Sequence, residues 1–173
     1  KLLSPKAKEG RMKPAIDAAL NRMEAEKKQK EAEKSVAEGK MAPDFTLNDL
    51  NGKPFTLSSL RGKYVILDFW GSWCGWCIKG MPEMKKYYEK YSGKFEIVGI
   101  DCNDTEQKWK KAVADNELPW INVKSEQADA TPQSYAVKGY PTKVVVAPDG
   151  KIAKIVVGED PAFYTYLDEL FGK

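Results

Sequence analysis

The stretch Tyr64-Val65-Ile66-Leu67-Asp68-Phe69-Trp70 carries a single charge among apolar and aromatic residues. A strand of this composition is buried on both faces, which demands a sheet covered by other layers. Four residues later stand Cys74-Gly75-Trp76-Cys77, followed by a helical stretch expected from about Cys74 to Tyr91 with Pro82 as a kink. The chain is therefore required to run from a buried strand into a helix, with two cysteines at the joint.

The remaining elements fit the same class. Asn51-Gly52 is a hairpin signal between Phe45–Leu47 and Phe55–Leu57. Phe95–Ile100 reads as a strand, and Asp104 or Thr105 caps a helix to about Asp115 that turns Trp109, Ala112 and Val113 inward. A helical stretch is expected around Ala130–Val137. Lys143–Ala147 and Lys151–Val157 are strands joined at Pro148-Asp149-Gly150. Asp160-Pro161 opens a last helix, which Gly172 follows. The order predicts an α/β sandwich around a mixed sheet.

Residues 1–40 differ from the rest. They hold 11 Lys and Arg against 7 Asp and Glu, whereas the other 133 residues hold 17 against 18. From about Pro14 to Glu38 strong helix formers dominate, with Pro14 in the first turn and Gly39 as the stop. Ile16, Leu20 and Met23 share one helical face, but three apolar positions are too few for a coiled coil. We expect two parts, a helical extension or linker over 1–40 and a compact domain over 41–173.

Composition excludes much else. The net charge of +3 gives no reason to expect a nucleic-acid partner. There is no histidine, which removes Ser–His–Asp and Cys–His nucleophiles and any histidine-containing zinc site. No run approaches the roughly 18 apolar residues of a membrane span, and no signal-peptide core is visible. No cofactor or metal is expected.

The chemistry centres on the cysteine pair. A helix N-terminus offers unpaired N–H groups and a positive dipole end, which favour a thiolate at Cys74 and leave Cys77 covered one turn in. A zinc ribbon would need four ligands, and Cys102 cannot complete the set. A c-type haem site needs His where Ile78 stands. A structural disulfide remains open, although Trp70, Trp73 and Trp76 around the pair suit a substrate-facing rim. Asp68, six positions before Cys74, is either a buried acid of raised pKa, able to accept a proton from a thiol, or a solvated residue at the sheet rim. Tyr140-Pro141-Thr142 leads a strand, where Pro141 is a candidate for a cis bond. Cys102 reads as a small buried filler.

Taken in order, Asp68-Phe69-Trp70, Trp73-Cys74-Gly75-Trp76-Cys77 and Gly139-Tyr140-Pro141-Thr142 resemble thioredoxin. Ala42-Pro43-Asp44-Phe45-Thr46-Leu47, Gly52-Lys53 and Leu60-Arg61-Gly62-Lys63 resemble the lead-in of the TlpA/ResA-like branch, whose members are extracytoplasmic bacterial thiol–disulfide oxidoreductases. The resemblance covers about residues 41–173 and implies a thioredoxin-like three-layer sandwich with an N-terminal helical extension. It implies Cys74 as nucleophile, Cys77 as resolving thiol and Asp68 as the buried acid. Trp73, Tyr140 and Pro141 would line the substrate groove, with Trp76 on its rim. Protein thiols and disulfides would be the substrates and a membrane or periplasmic protein the redox partner, with residues 1–40 joining an upstream domain. The chain departs from thioredoxin at Trp76, which replaces a proline. It departs at Ile97, which leaves the buried acid without its usual lysine, and Gly75 leaves no carboxylate between the cysteines. A peroxiredoxin shares the Ala-Pro-Asp-Phe opening, but its P-x-x-x-T-x-x-C signature fails at Leu67 and Gly71. A non-catalytic thioredoxin-like binding module is the other alternative.

Overall fold

The computed structural model describes residues 5–173. In chain order they form α1 (Pro5–Ser35), β1 (Thr46–Asp49), β2 (Pro54–Thr56), a 3-10 turn (Leu57–Leu60), β3 (Tyr64–Trp70), α2 (Gly75–Lys90) and β4 (Phe95–Asp101). There follow α3 (Glu106–Asp115), β5 (Ile121–Lys124), α4 (Thr131–Ser134), β6 (Thr142–Val146), β7 (Ile152–Val157) and α5 (Pro161–Phe171).

The apolar run becomes β3, inside a seven-stranded mixed sheet of order β2-β1-β5-β4-β3-β6-β7. It runs parallel to β4 and antiparallel to β6. Strand alternation divides its side chains between two cores. Ile66 and Trp70 meet Met81 and Met84 of α2, Trp109 and Val113 of α3, and Phe163, Leu167 and Phe171 of α5. Val65, Leu67 and Phe69 meet Val36, Phe45, Leu57 and Tyr135 on the opposite face. Each large side chain buried this way contributes about 1.5–3 kcal/mol. This is the three-layer α/β sandwich of the thioredoxin fold, with its thicker helical layer over the face that carries the cysteines.

The helices start where capping chemistry puts them. Thr105 accepts the amide of Lys108 at 3.2 Å and begins α3. Asp160 accepts the amide of Ala162 at 2.9 Å and begins α5, with Pro161 in its first turn.

Three local expectations change. α1 starts at Pro5 and runs through Pro14, because helix formers flank that proline on both sides. Its end moves forward from Glu38 to Ser35, since Val36 turns into the core and Gly39 takes a φ of 88°. Ile16, Leu20 and Met23 are exposed on it, while its second half touches the domain through Gln29 Nε2 donating to the Ala136 carbonyl at 3.5 Å and a Glu33–Lys138 ion pair. β5 was not expected at all: Ile121–Lys124 gains strand character from pairing with β4 on one side and β1 on the other. The helix around Ala130–Val137 shrinks to Thr131–Ser134, because Ala136 takes a left-handed φ of 54°. Residues 1–4 of the extension lie outside the described residues.

Candidate active site

β3 ends at Trp70, and the loop Gly71–Trp73 carries the chain to Cys74, the N-cap of α2. Cys74 and Cys77 are joined by a disulfide, with Cα atoms 5.3 Å apart. The Cys77 amide points at Cys74 Sγ, 3.2 Å away, and the Cys74 carbonyl accepts from Ile78 at 3.1 Å. Cys74 is 7% exposed and Cys77 3%. The Cys77 amide and the positive end of the α2 dipole are thus directed at Cys74 Sγ.

The loop is clamped by the β4–α3 connection. Asp104 accepts both the amide and the hydroxyl of Ser72, each at 2.7 Å, and Trp73 Nε1 donates to the Cys102 carbonyl at 2.9 Å. Burial works to raise the Asp104 pKa, but neighbouring Asp101 and Ser72 outweigh it and hold the carboxyl below its usual range. Asp101 itself is fully buried, and burial first, the Asp104 carboxylate second, push it up to about 9. Asp104 reads from sequence only as a candidate helix cap and Asp101 is not singled out, although a charge ending the apolar strand β4 is the same kind of signal that marked Asp68.

The expected site residues come together around the pair. Trp73 is 50% exposed and Trp76 67%, so the residues that precede each cysteine in the chain carry indoles open to solvent. Trp73 stacks edge-on to Tyr140 at 5.1 Å between ring centroids. The Tyr140–Pro141 peptide bond is cis. Trp76, Tyr140, Pro141, Gly158 and Glu159 line a groove of about 250 Å³. A cleft of about 800 Å³ is bounded by Trp73, Ser72, Asp104, Lys124 and Glu126. Cys102 is buried and free, and burial pushes its thiol up to about 12.

The Trp73 indole occupies the space beside Gly71 that a Cβ there would fill. Gly71→Ala is therefore expected to displace the indole and break its bond to Cys102, costing about 1 kcal/mol of stability. Denaturant titration checks the cost, and a red-shifted tryptophan emission checks the displacement.

Asp68 is 2% exposed and shares the face of Ile66 and Trp70, the one that packs against Cys77. It is not solvated at the rim. Desolvation pushes its pKa up to about 6, with Lys143 pulling down and Glu159 pushing up. Nor is it without a cation: Lys143, its register partner on β6, places Nζ 4.0 Å from Asp68 Oδ1. The lysine absent at position 97 is replaced from the opposite neighbouring strand. Sequence reasoning missed Lys143 and Glu159, since a lysine in Thr142-Lys143-Val144 gives no hint of which strand it faces.

Residues 38–155 match the AhpC/TSA family model. The chain is 38% identical over 122 residues to thiol–disulfide oxidoreductase ResA of Bacillus cereus (strain ZK / E33L), covering 70% of each chain. It is 35% identical over 128 residues to ResA of Bacillus subtilis (strain 168), covering 72% of this chain and 69% of the relative. Among solved structures, the thioredoxin domain of a thiol–disulfide oxidoreductase from Bacteroides vulgatus superposes with a TM-score of 0.71 at 33% identity, over 79% of this chain and 99% of that one. A thiol:disulfide interchange protein from a Bacteroides species gives 0.72 at 32% identity, over 80% and 93%. With the CxxC pair, the buried acid and the Tyr140–Pro141 turn in their expected places, the chain belongs to the AhpC/TSA family of thioredoxin-fold proteins and stands there with the ResA-like thiol–disulfide oxidoreductases.

Proposed function

We propose that this protein exchanges disulfides with protein substrates through Cys74 and Cys77, with Asp68 as the proton acceptor. The observation that carries the reading is the disulfide at the N-terminus of α2, whose two cysteines each follow an exposed tryptophan in the chain. In the reduced protein the Cys74 thiolate attacks a substrate disulfide, forming a mixed disulfide and releasing one substrate thiolate. Cys77 then loses its proton to Asp68 and attacks Cys74 Sγ. The second substrate thiolate leaves, and the protein is left oxidised, as in this structure. The same steps reversed oxidise a substrate dithiol. Trp73, Trp76, Tyr140 and Pro141 form the walls against which the substrate backbone is held.

The kinship with the TlpA/ResA-like branch supports an extracytoplasmic location, with a membrane or periplasmic protein as redox partner. It also supports residues 1–40 as the joint to an upstream domain, with the end of this segment, Val36, Gly39 and Lys40, packed onto the compact domain over 41–173. No helix among the described residues is long and apolar enough to cross a membrane.

Equilibration in glutathione and dithiothreitol buffers, followed by tryptophan fluorescence, tests the function. A single reversible two-electron transition is expected. A pair inert to both buffers would mark a structural disulfide and overturn the reading.

A further inference from the structure

Lys143 is 2% exposed, and a buried ammonium must find negative charge. Two carboxylates face it. Glu159, in the loop between β7 and α5, accepts from Lys143 Nζ at 2.7 Å, whereas Asp68 Oδ1 lies 4.0 Å away, beyond hydrogen-bond distance. Asp68 Oδ1 has no hydrogen-bond partner of its own. The lysine's hydrogen bond is therefore given to Glu159, and Asp68 receives only the field of the charge. Glu159 fits there because residue 80 of α2 is glycine: a Cβ at Gly80 would overlap the Glu159 carboxyl group. Glu159 also lines the groove beside Trp76 and Pro141.

We propose that Lys143 and Glu159 are positioning residues that jointly set the proton affinity of Asp68, and that Gly80 is the vacancy that lets Glu159 do so. The proposal rests on the reading of Asp68 as the acceptor for Cys77. Glu159 draws the ammonium away from Asp68 and adds its own negative field; both effects keep the Asp68 proton on. Lys143 limits the same effect from the other side. Among the described residues that act on Asp68, no second cation competes with Lys143. β4 presents Gly99 in register with Asp68, α2 presents Cys77, and α5 presents Tyr164, whose hydroxyl donates to the Gly80 carbonyl at 3.4 Å. Burial, first, and the Glu159 charge push that phenol's pKa up, so it stays neutral.

The test is the titration of Asp68 in the reduced protein, followed by its carboxyl carbon in NMR, together with the pH profile of mixed-disulfide resolution. Glu159→Gln is expected to move the midpoint down and Lys143→Met to move it up, each by on the order of one pH unit. Gly80→Ala touches no charge and raises helix propensity, yet it is expected to shift the midpoint down as Glu159→Gln does, because the methyl evicts the Glu159 carboxylate. A structural role gives no reason for opposite shifts from Glu159→Gln and Lys143→Met. Midpoints that stay put in folded Glu159→Gln and Gly80→Ala overturn the proposal. If the NMR midpoints shift as stated while no variant, nor the parent, resolves a mixed disulfide, the positioning stands and the exchange reading fails.

Discussion

Cys77→Ser is expected to accumulate a covalent complex between Cys74 and its substrate, while Cys74→Ser falls to background turnover. The two sulfurs are inequivalent by position alone. Cys74 caps α2 and is the more exposed of the two, 7% against 3%. Both sulfurs border the helical-side core with Trp70 and Met81, and Cys77 lies one turn further into α2. The first attack needs access and a stabilised thiolate, which the helix N-cap position favours at Cys74; the second needs only Cys74 Sγ within reach. Removing Cys77 therefore stops the cycle after the first bond is made. Non-reducing gels with a disulfide-bearing protein substrate should show the adduct in Cys77→Ser and none in Cys74→Ser. Equal residual activity in the two variants would reverse or dissolve the assignment.

Asp68→Asn should be more stable than the parent at pH 7 and much slower in the resolving step. Below the unfolded-state value of about 3.9 the carboxyl is neutral in both states and has no linkage cost. Between that value and the folded one, pushed up to about 6 by burial, the unfolded chain ionises while the native state holds its proton. Stability is lost as pH rises across this window and the loss is complete above it. The gap corresponds to an upper bound of about 3 kcal/mol, so the variant is expected to gain on the order of 1–3 kcal/mol at pH 7 and nothing below pH 4. Urea titrations at the two pH values measure this. The same change removes a general base, which typically contributes ~10²-fold or more to a proton-transfer step. A variant that is less stable and equally fast would show Asp68 to be structural, and it would leave the site.

What the sequence discloses of this protein follows physical range. β3 is legible because its apolar positions run unbroken, and α5 because Asp160-Pro161 is a local cap. The cysteine pair is legible because both its members and its helix lie within one stretch. β5 is not: four residues including Asn122 and Lys124 carry too little pattern, and pairing with β1 and β4 decides them. Lys143 and Glu159 are missed for a related reason. Their meaning lies in a register between residues 75 apart in the chain and in the room that Gly80 leaves for the Glu159 carboxyl group, neither of which has a local mark. Asp68 stands between these cases: its burial could be argued from its own strand, but its cation could not.

The outer side of β7 has a consequence for how the protein behaves in concentrated solution. An open sheet edge invites strand addition from a second chain, the first step of edge-to-edge aggregation. Here the chain itself occupies the start of that edge: Gly39 donates to the Ile152 carbonyl at 2.8 Å, Ile152 donates back to the Lys40 carbonyl at 2.8 Å, and Met41 bridges Lys151. A register shift between Val145 and Val146 twists the same end, and Lys154 sets a charge on the strand beyond it. The opposite edge, β2, is only three residues long. Among the described residues, neither margin of the sheet offers a foreign strand a long, flat template, so the redox surface can stay open to partners without the sheet itself recruiting them.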